Sequence, residues 1–287
     1  MQSPLTNLKS LLLPVLKISQ ISANAVLEVY NSSDFEVEIK KDKSPLTRAD
    51  KLSHDIIFKQ LERLTPDIAI LSEEGANIPY DQRKLWRNYW LIDPIDGTKE
   101  FINRNGEFTI NIALIDQAQP VLGVVFAPAK GLLYYALSGF GAYRFSLGKD
   151  INEYDSLEDV LAVSQKLPVI EVNDPLVVSA SRSHKDENLK TYLENLKNSG
   201  YKTKVISAGS SLKLCMVAEG TADIYPRFGP TMEWDIAAGH CVVKESLARV
   251  LTGENCDLAY NKKTLKNDSF IAFGETCPSF CVTSFFK

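Results

Sequence analysis

The stretch that most narrows what this chain can become is WLIDPIDGTKEF, residues 90–101, where an apolar run leads straight into two aspartates, a glycine and a threonine. Trp90, Leu91 and Ile92 read as a buried strand, and a buried strand ending in unpaired carboxylates costs roughly several kcal/mol per charge. The fold must bring a cation to this strand end. Two other elements also end in acid: ILSEEG closes a second buried-type strand with Glu73 and Glu74, and Asp235 sits at the start of the helical stretch WDIAAGH. Asp93 and Asp96, separated by Pro94 and Ile95, can face the same side of a tight turn, with the Ile95 carbonyl between them as a further oxygen donor. Hard oxygen ligands with no His or Cys nearby suit Mg²⁺ or Mn²⁺ and argue against zinc.

Gly97 allows a close backbone approach, and Thr98 offers a hydroxyl and an amide at a helix start, a favoured place for phosphate oxygens. An acidic site holds a phosphate only where metal ions outweigh the carboxylates, so metal and phosphate imply each other. Each piece alone has an ordinary structural reading: Asp-Gly is a turn signal, SEEG a solvated strand end, and an aspartate before a helix an N-cap. Their joint occurrence carries the chemical reading.

The chain has 287 residues, enough for two lobes or one large layered domain, and its net charge of −4, from 32 basic and 36 acidic residues, gives no global field for a nucleic-acid backbone or an acidic membrane. An anionic ligand must be met locally, and no nucleic-acid partner is expected. The apolar run Leu11–Leu16 is far shorter than the roughly 20 residues of a membrane span, and it lacks a signal-peptide pattern, so no stable membrane insertion is expected. Cys277 and Cys281 have a spacing that allows pairing, but five cysteines without regular spacing read as free thiols in a reducing cytoplasm.

Apolar periodicity predicts a helix from Ser3 to about Tyr30, with Pro14 starting its stable part or kinking it, then a strand at FEVEIK and a second helix carrying Leu52, Ile56, Ile57, Leu61 and Leu64. FTINIALID, PVLGVVFAPA, GLLYYAL and GAYRFS read as a β-meander. Residues 150–174 turn polar and irregular, which places a boundary between an N-terminal α+β domain, 1–172, and a C-terminal α/β domain, 173–287. The last third alternates: strand PLVVSAS, helix Lys185–Asn198, strand KTKVIS, helix Ser211–Glu219, strand ADIYPR and helix WDIAAGHCVVKES. No internal repeat is present.

DPIDGT, the upstream SEEG, the SPLTRAD segment and the downstream WDIAAGH together resemble the Mg²⁺-dependent, Li⁺-sensitive phosphomonoesterases of the inositol monophosphatase superfamily. The resemblance spans about residues 5–274. Within it, DPIDGTKEF, GEFTINIALI, SASRSH and GSSLK are similar to the 3′(2′),5′-bisphosphate nucleotidases of the bacterial CysQ type, and Glu100 stands where inositol phosphatases tend to carry Asn.

The resemblance implies a layered α-β-α-β-α sandwich, the sugar-phosphatase fold. It makes Glu73, Asp93 and the Ile95 carbonyl ligands of one metal, and Asp93, Asp96 and Asp235 ligands of a second. A third, weaker Mg²⁺ held partly by Glu73 is the family expectation, with Mn²⁺ as a substitute and Li⁺ as an inhibitor. Asp50, closing SPLTRAD, pairs with the Thr98 hydroxyl to orient the attacking water. Ser210 and Lys213 of GSSLK stand three apart on one face of a helix N-terminus, and Arg227 ends a strand. By resemblance these meet the phosphate that is not cleaved, with His184 near the nucleotide; Gly97 and Thr98 complete the expected substrate-binding set.

The implied activity is hydrolysis of the 3′-phosphate of adenosine 3′,5′-bisphosphate to AMP, extending to its 5′-phosphosulfate analogue, by a cytoplasmic monomer in sulfur metabolism. A peripheral position at the inner membrane face stays open. Two other readings stand beside it: a phosphatase of inositol or sugar phosphates, and a metal-dependent scaffold protein without catalysis. His54 reads as a surface helix residue and His240 as a packed one. Trp86, Trp90 and Trp234 read as core or rim packing, and Asn267-Asp268 replaces the family's usual Asn-Pro. The tail CPSFCVTSFFK has no counterpart and reads as a short apolar end packed back on the fold.

Overall fold

The computed structural model describes residues 8–32, 37–39, 45–169, 173–181 and 187–286. Helix α1 (Leu8–Asn31) precedes a ribbon of β1 (Glu38–Ile39) and β2 (Pro45–Leu46), helix α2 (Arg48–Leu64), β3 (Ala69–Ser72), the short α3 (Tyr80–Arg83) and β4 (Asn88–Asp96). Then come α4 (Thr98–Ile102), the meander β5 (Thr109–Asp116), β6 (Gln119–Ala127), β7 (Leu132–Leu137) and β8 (Gly141–Ser146), α5 (Leu157–Ala162) and β9 (Gln165–Lys166). The remainder runs β10 (Leu176–Ala180), α6 (Glu187–Asn198), β11 (Thr203–Ser207), α7 (Leu212–Glu219), β12 (Ile224–Arg227), β13 (Thr231–Met232) and α8 (Glu233–Glu245). It closes with β14 (Arg249–Thr252), β15 (Lys266–Asn267), β16 (Phe270–Phe273) and α9 (Ser279–Thr283).

Strands β3 to β9 form a seven-stranded sheet in sequence order, parallel only between β3 and β4, while a five-stranded sheet has the order β11-β10-β12-β16-β14. The period of two along each strand decides the layers. Trp90 and Ile92 point to one face of β4, where they meet Leu12 and Leu16 of α1 and Ile57 and Leu61 of α2. Tyr89 and Leu91 point to the other, against Leu214 of α7 and Ile236 and Cys241 of α8. Those two helices are shared, since the same cluster takes in Val177, Tyr225 and Ala272 of the five-stranded sheet. On that sheet's outer face, Val178, Ile224 and Ile271 pack against Tyr192 and Leu196 of α6 and Cys281 of α9. The result is the α-β-α-β-α sandwich.

Several boundaries differ from the sequence reading. The first helix runs Leu8–Asn31 with Pro14 inside it, and the expected residues 3–7 lie outside the described ones. This helix is long and apolar enough to span a membrane, but half of its most apolar window is buried, against α2 and the large sheet. Of FEVEIK, the described strand is Glu38–Ile39, and both residues are exposed. Leu52 is 37% exposed, because α2 turns Ala49, Ser53, Ile57 and Leu61 inward instead. The strands after α8 escaped the periodicity because FIAF is a four-residue, fully apolar run with no alternation to read. The tail packs back: Val282 and Phe285 join the outer cluster and Tyr192 donates to the Cys281 carbonyl at 2.9 Å. All five cysteines, including Cys277 and Cys281, are free thiols.

Close approach of α8 to β6 needs a glycine. A Cβ at Gly123 would stand 2.4 Å from the Ala238 carbonyl oxygen and 2.7 Å from Cys241 Cβ, whereas one at Gly239 would meet Leu214 Cδ1 at 2.6 Å. Backbone cannot yield as a leucine methyl can. Gly123→Ala is expected to cost about 1–3 kcal/mol, the usual overpacking range, and Gly239→Ala less; thermal melts at roughly 2–4 °C per kcal/mol resolve the order. Equal losses in the two variants would contradict it.

Candidate active site

Strand β4 delivers the acidic residues by breaking its own regularity. With a period of two, residues 93 and 96 would point to opposite faces, but the β4/β5 register shifts between Asp93 and Asp96, the mark of a bulge. Pro94 has no N–H for the ladder, and the Ile95 N–H instead donates to Asp93 Oδ1 at 3.1 Å. The Ile95 side chain is buried in the lower core. Beneath the turn, Ser53 of α2 donates to the Pro94 carbonyl at 2.8 Å and receives a bond from Ser22 of α1 at 2.8 Å, so two helices hold the turn by buried hydroxyls. Gly97 then leaves the strand at φ 89°, and a Cβ there would stand 2.1 Å from Ser210 Oγ. Glycine is required on both counts.

Carboxylate oxygens of Glu73, Asp93 and Asp235 come within 4.8 Å of one another. Glu73 follows β3, its N–H bound to the Ile92 carbonyl at 3.1 Å, and Asp235 lies in the first turn of α8, where its Oδ2 accepts from the Met232 N–H at 2.8 Å. Burial, and then the charges of Glu73, Asp96 and Asp235, push the Asp93 carboxyl well above its ordinary range. Asp235 is pushed up by burial and then by Asp96. Asp96 stands beside this trio, pushed up to about 6 by burial against the opposing pull of Lys213 and the Ser211 bond. Among the described residues no lysine or arginine forms an ion pair with Asp93 or Asp235. An all-oxygen, mutually repelling set of this kind fits a hard divalent cation, Mg²⁺ or Mn²⁺.

Asp50 faces the same turn from α2. Both the N–H and the hydroxyl of Thr47 donate to its Oδ2, at 2.7 and 2.6 Å, which caps the helix. Its Oδ1 accepts from the Thr98 hydroxyl at 3.2 Å. One carboxylate thus starts a helix and fixes Thr98.

The opposite wall is cationic. A cavity of about 210 Å³ is lined by Asp96, Gly97, Ser210, Lys213, Arg227 and Asp235 among others. Lys213 is no surface charge: it is 5% exposed, bonded to the Ser210 and Ala208 carbonyls at 2.7 and 3.2 Å, and lies 5.5 Å over the Tyr225 ring. Burial lowers its amine to about 8, partly opposed by Asp96. Arg227 donates to Ser181 Oγ at 2.7 Å and to the carbonyls of Gly229 and Pro230 at 3.1 and 3.2 Å. Ser210 precedes α7 in the left-handed region, φ 51°, and its hydroxyl lies 2.8 and 2.7 Å from the carbonyls of Asp96 and Glu107. It therefore joins the loop to the β4 end rather than sharing a helix face with Lys213. His184 lies outside the described residues.

Sequence reasoning missed Ser211 and Asn111. Ser211 Oγ sits 2.9 Å from Asp96 Oδ2 and 2.6 Å from the Asp235 carbonyl, and it accepts from the buried Asn111 amide at 2.9 Å. The doubled serine of GSSLK was the available signal. His54 is not a simple surface residue either: it is partly buried and 2.8 Å from Ser72 Oγ, directly before Glu73. His240 is buried and bonded to Tyr260 at 2.9 Å. Trp90 is fully buried and bonded to Thr65, and Trp86 and Trp234 pack on the central core. Asn267 is buried and holds the Met232 carbonyl at 2.9 Å, ahead of α8.

Because the acidic cluster takes up protons at a higher pH folded than unfolded, the metal-free fold loses stability as pH rises from about 4 to 6 and beyond. At pH 7, Asp93→Asn is expected to raise the melting temperature in chelator, on the order of 3 °C. Mg²⁺ should stabilise the original protein strongly and the variant weakly. A variant that melts lower in chelator would refute the repulsion.

Residues 8–275 match the model of the inositol monophosphatase family. The chain is 43% identical over 250 residues, 87% of its length and 93% of theirs, to the 3′(2′),5′-bisphosphate nucleotidases CysQ of Salmonella typhimurium and Escherichia coli K12. The crystal structure of CysQ from Bacteroides thetaiotaomicron, a bacterial member of the same family, superposes with a TM-score of 0.82 at 41% identity, covering 91% of this chain and 96% of that one. With the bulged acidic strand end, the layered fold and a match over nearly the whole length, the chain belongs to the inositol monophosphatase family.

Proposed function

We propose that this protein is a Mg²⁺-dependent 3′-phosphatase that converts adenosine 3′,5′-bisphosphate to AMP and phosphate, and acts on the 5′-phosphosulfate analogue of that nucleotide. The observation that carries the reading is one cavity lined by a buried lysine and an arginine together with Asp96 and with Asp235, which also belongs to the acidic cluster. A substrate with one anion suits one wall; a substrate with two suits both. The names of the relatives above supply the substrate class.

Glu73, Asp93, Asp96, Asp235 and the Ile95 carbonyl would hold the cations, which neutralise phosphate charge and lower the pKa of water. The protein's own part is positioning. Thr98, by donating its proton to Asp50 Oδ1, turns its lone pairs outward to accept a proton from a water, so the water is oriented with its oxygen free to attack phosphorus. Asp50 is already held by Thr47 and keeps that alignment. The bulge sets Asp93 and Asp96, and Ser211 restrains Asp96 through its Oδ2. A loose phosphoryl-transfer transition state gains from such positioning and charge matching. Lys213 and Arg227 hold the distal phosphate, which fixes where the 3′-phosphate lies.

The test is phosphate release from adenosine 3′,5′-bisphosphate, inositol 1-phosphate and fructose 1,6-bisphosphate in Mg²⁺, with and without Li⁺. A large preference for the nucleotide, suppressed by Li⁺, is expected; a preference for inositol phosphate would overturn the substrate assignment, and no turnover of any monoester would leave the scaffold reading. Thr98→Ala is expected to lower kcat about 10²–10⁴-fold with KM little changed. Lys213→Met should raise KM for the bisphosphate about 10–100-fold while sparing adenosine 3′-monophosphate. Since the Lys213 amine is lowered to about 8, KM for the bisphosphate should rise as pH climbs past about 8. Lys213→Arg should move that limb upward; an unmoved limb would assign it to another group.

A further inference from the structure

The family match ends at residue 275, yet the residues that follow are built into the fold, in the outer cluster of the five-stranded sheet. Phe285 is 7% exposed, and its ring lies 4.8 Å from that of Phe228. Tyr192 of α6 packs against both rings, at 6.1 and 6.4 Å, and its hydroxyl holds the Cys281 carbonyl at 2.9 Å. Tyr201 and Phe280 stack at 5.9 Å and fix the start of the same segment.

Phe228 adjoins Arg227, and the two belong to different sides of the sandwich: Arg227 lines the cavity, while Phe228 packs into the outer cluster. The Arg227 guanidinium is bonded to Ser181 Oγ and to the carbonyls of Gly229 and Pro230 in its own turn. Two of its three bonds therefore follow that turn, and the turn is packed from outside through Phe228, on which the rings of Phe285 and Tyr192 lie. We infer that the tail, through Phe285 on Phe228, positions Arg227 for the phosphate that is not cleaved. Phe285 is thus a positioning residue for substrate affinity, reaching the site from the far face of the small sheet. The inference rests on the reading of Arg227 given above.

Arginine–phosphate contacts depend on the geometry of the guanidinium fork, so a displaced Arg227 binds the phosphate less well. Phe285→Ala is expected to raise KM for adenosine 3′,5′-bisphosphate about tenfold, with kcat within about twofold and kinetics on adenosine 3′-monophosphate unchanged. Phe285→Leu, which keeps an apolar filling, should recover most of the loss and guards against a variant that fails to fold. In an Arg227→Ala background, Phe285→Ala should add nothing further. If Arg227→Ala alone leaves the bisphosphate KM unchanged, the reading of Arg227 falls and this inference with it. If Arg227→Ala raises KM but Phe285→Ala and Phe285→Leu do not, or if Phe285→Ala harms both substrates equally or adds to Arg227→Ala, the inference alone is overturned.

Discussion

Mutual repulsion among buried carboxylates is the constraint around which this molecule is arranged. Glu73, Asp93 and Asp235 come from the end of one strand, the bulge of the next and the first turn of a helix more than a hundred residues later, and their oxygens meet within 4.8 Å. Electrostatics opposes that meeting, since burial and like charge raise the proton affinity of Asp93 and Asp235 together. The surrounding packing has to hold them there. It does so through layers that cannot slide: α8 lies so close on β6 that Gly123 has no room for a methyl, and α7 and α8 are gripped between two sheets.

Several residues serve folding and site geometry at once. Asp50 caps α2 through Thr47 and bonds Thr98 with its other oxygen. Ser53 packs between helices and anchors the Pro94 carbonyl from below. Ser211 ties Asp96 to the Asp235 main chain while accepting from Asn111, so three segments share one hydroxyl. The same bonds therefore hold the backbone and aim the acids.

The cationic wall is organised differently. Lys213 is buried over Tyr225 and satisfied by carbonyls of its own loop, and Arg227 is stitched to a turn whose outer side leans on the C-terminal segment. Positive charge held by protein carbonyls beside a negative cluster gives a cavity with two polarities a few residues apart. That division favours a ligand carrying anions at two separated positions over one carrying a single phosphate.

Much of this was legible in the chain itself. DPIDGT and SEEG are local: an apolar run ending in acid states its need for a cation without knowledge of distant residues, and the β-meander announces itself by short β-branched and aromatic runs between Gly, Pro and Asp turns. Other features depend on distance in sequence. Ser210 and Ser211 reach Asp96 across more than a hundred residues, and Asn111 reaches Ser211 across a hundred, so no periodicity marks them. The burial of Lys213 and the docking of the tail were decided by the second sheet, because exposure is a property of what packs on a residue and not of the residue. The sequence by itself determined which chemistry the acids demand, through the cost of burying charge. Only the tertiary structure decided which groups share that charge and which cations face it, because those are set by the layers that bring remote segments within hydrogen-bond reach.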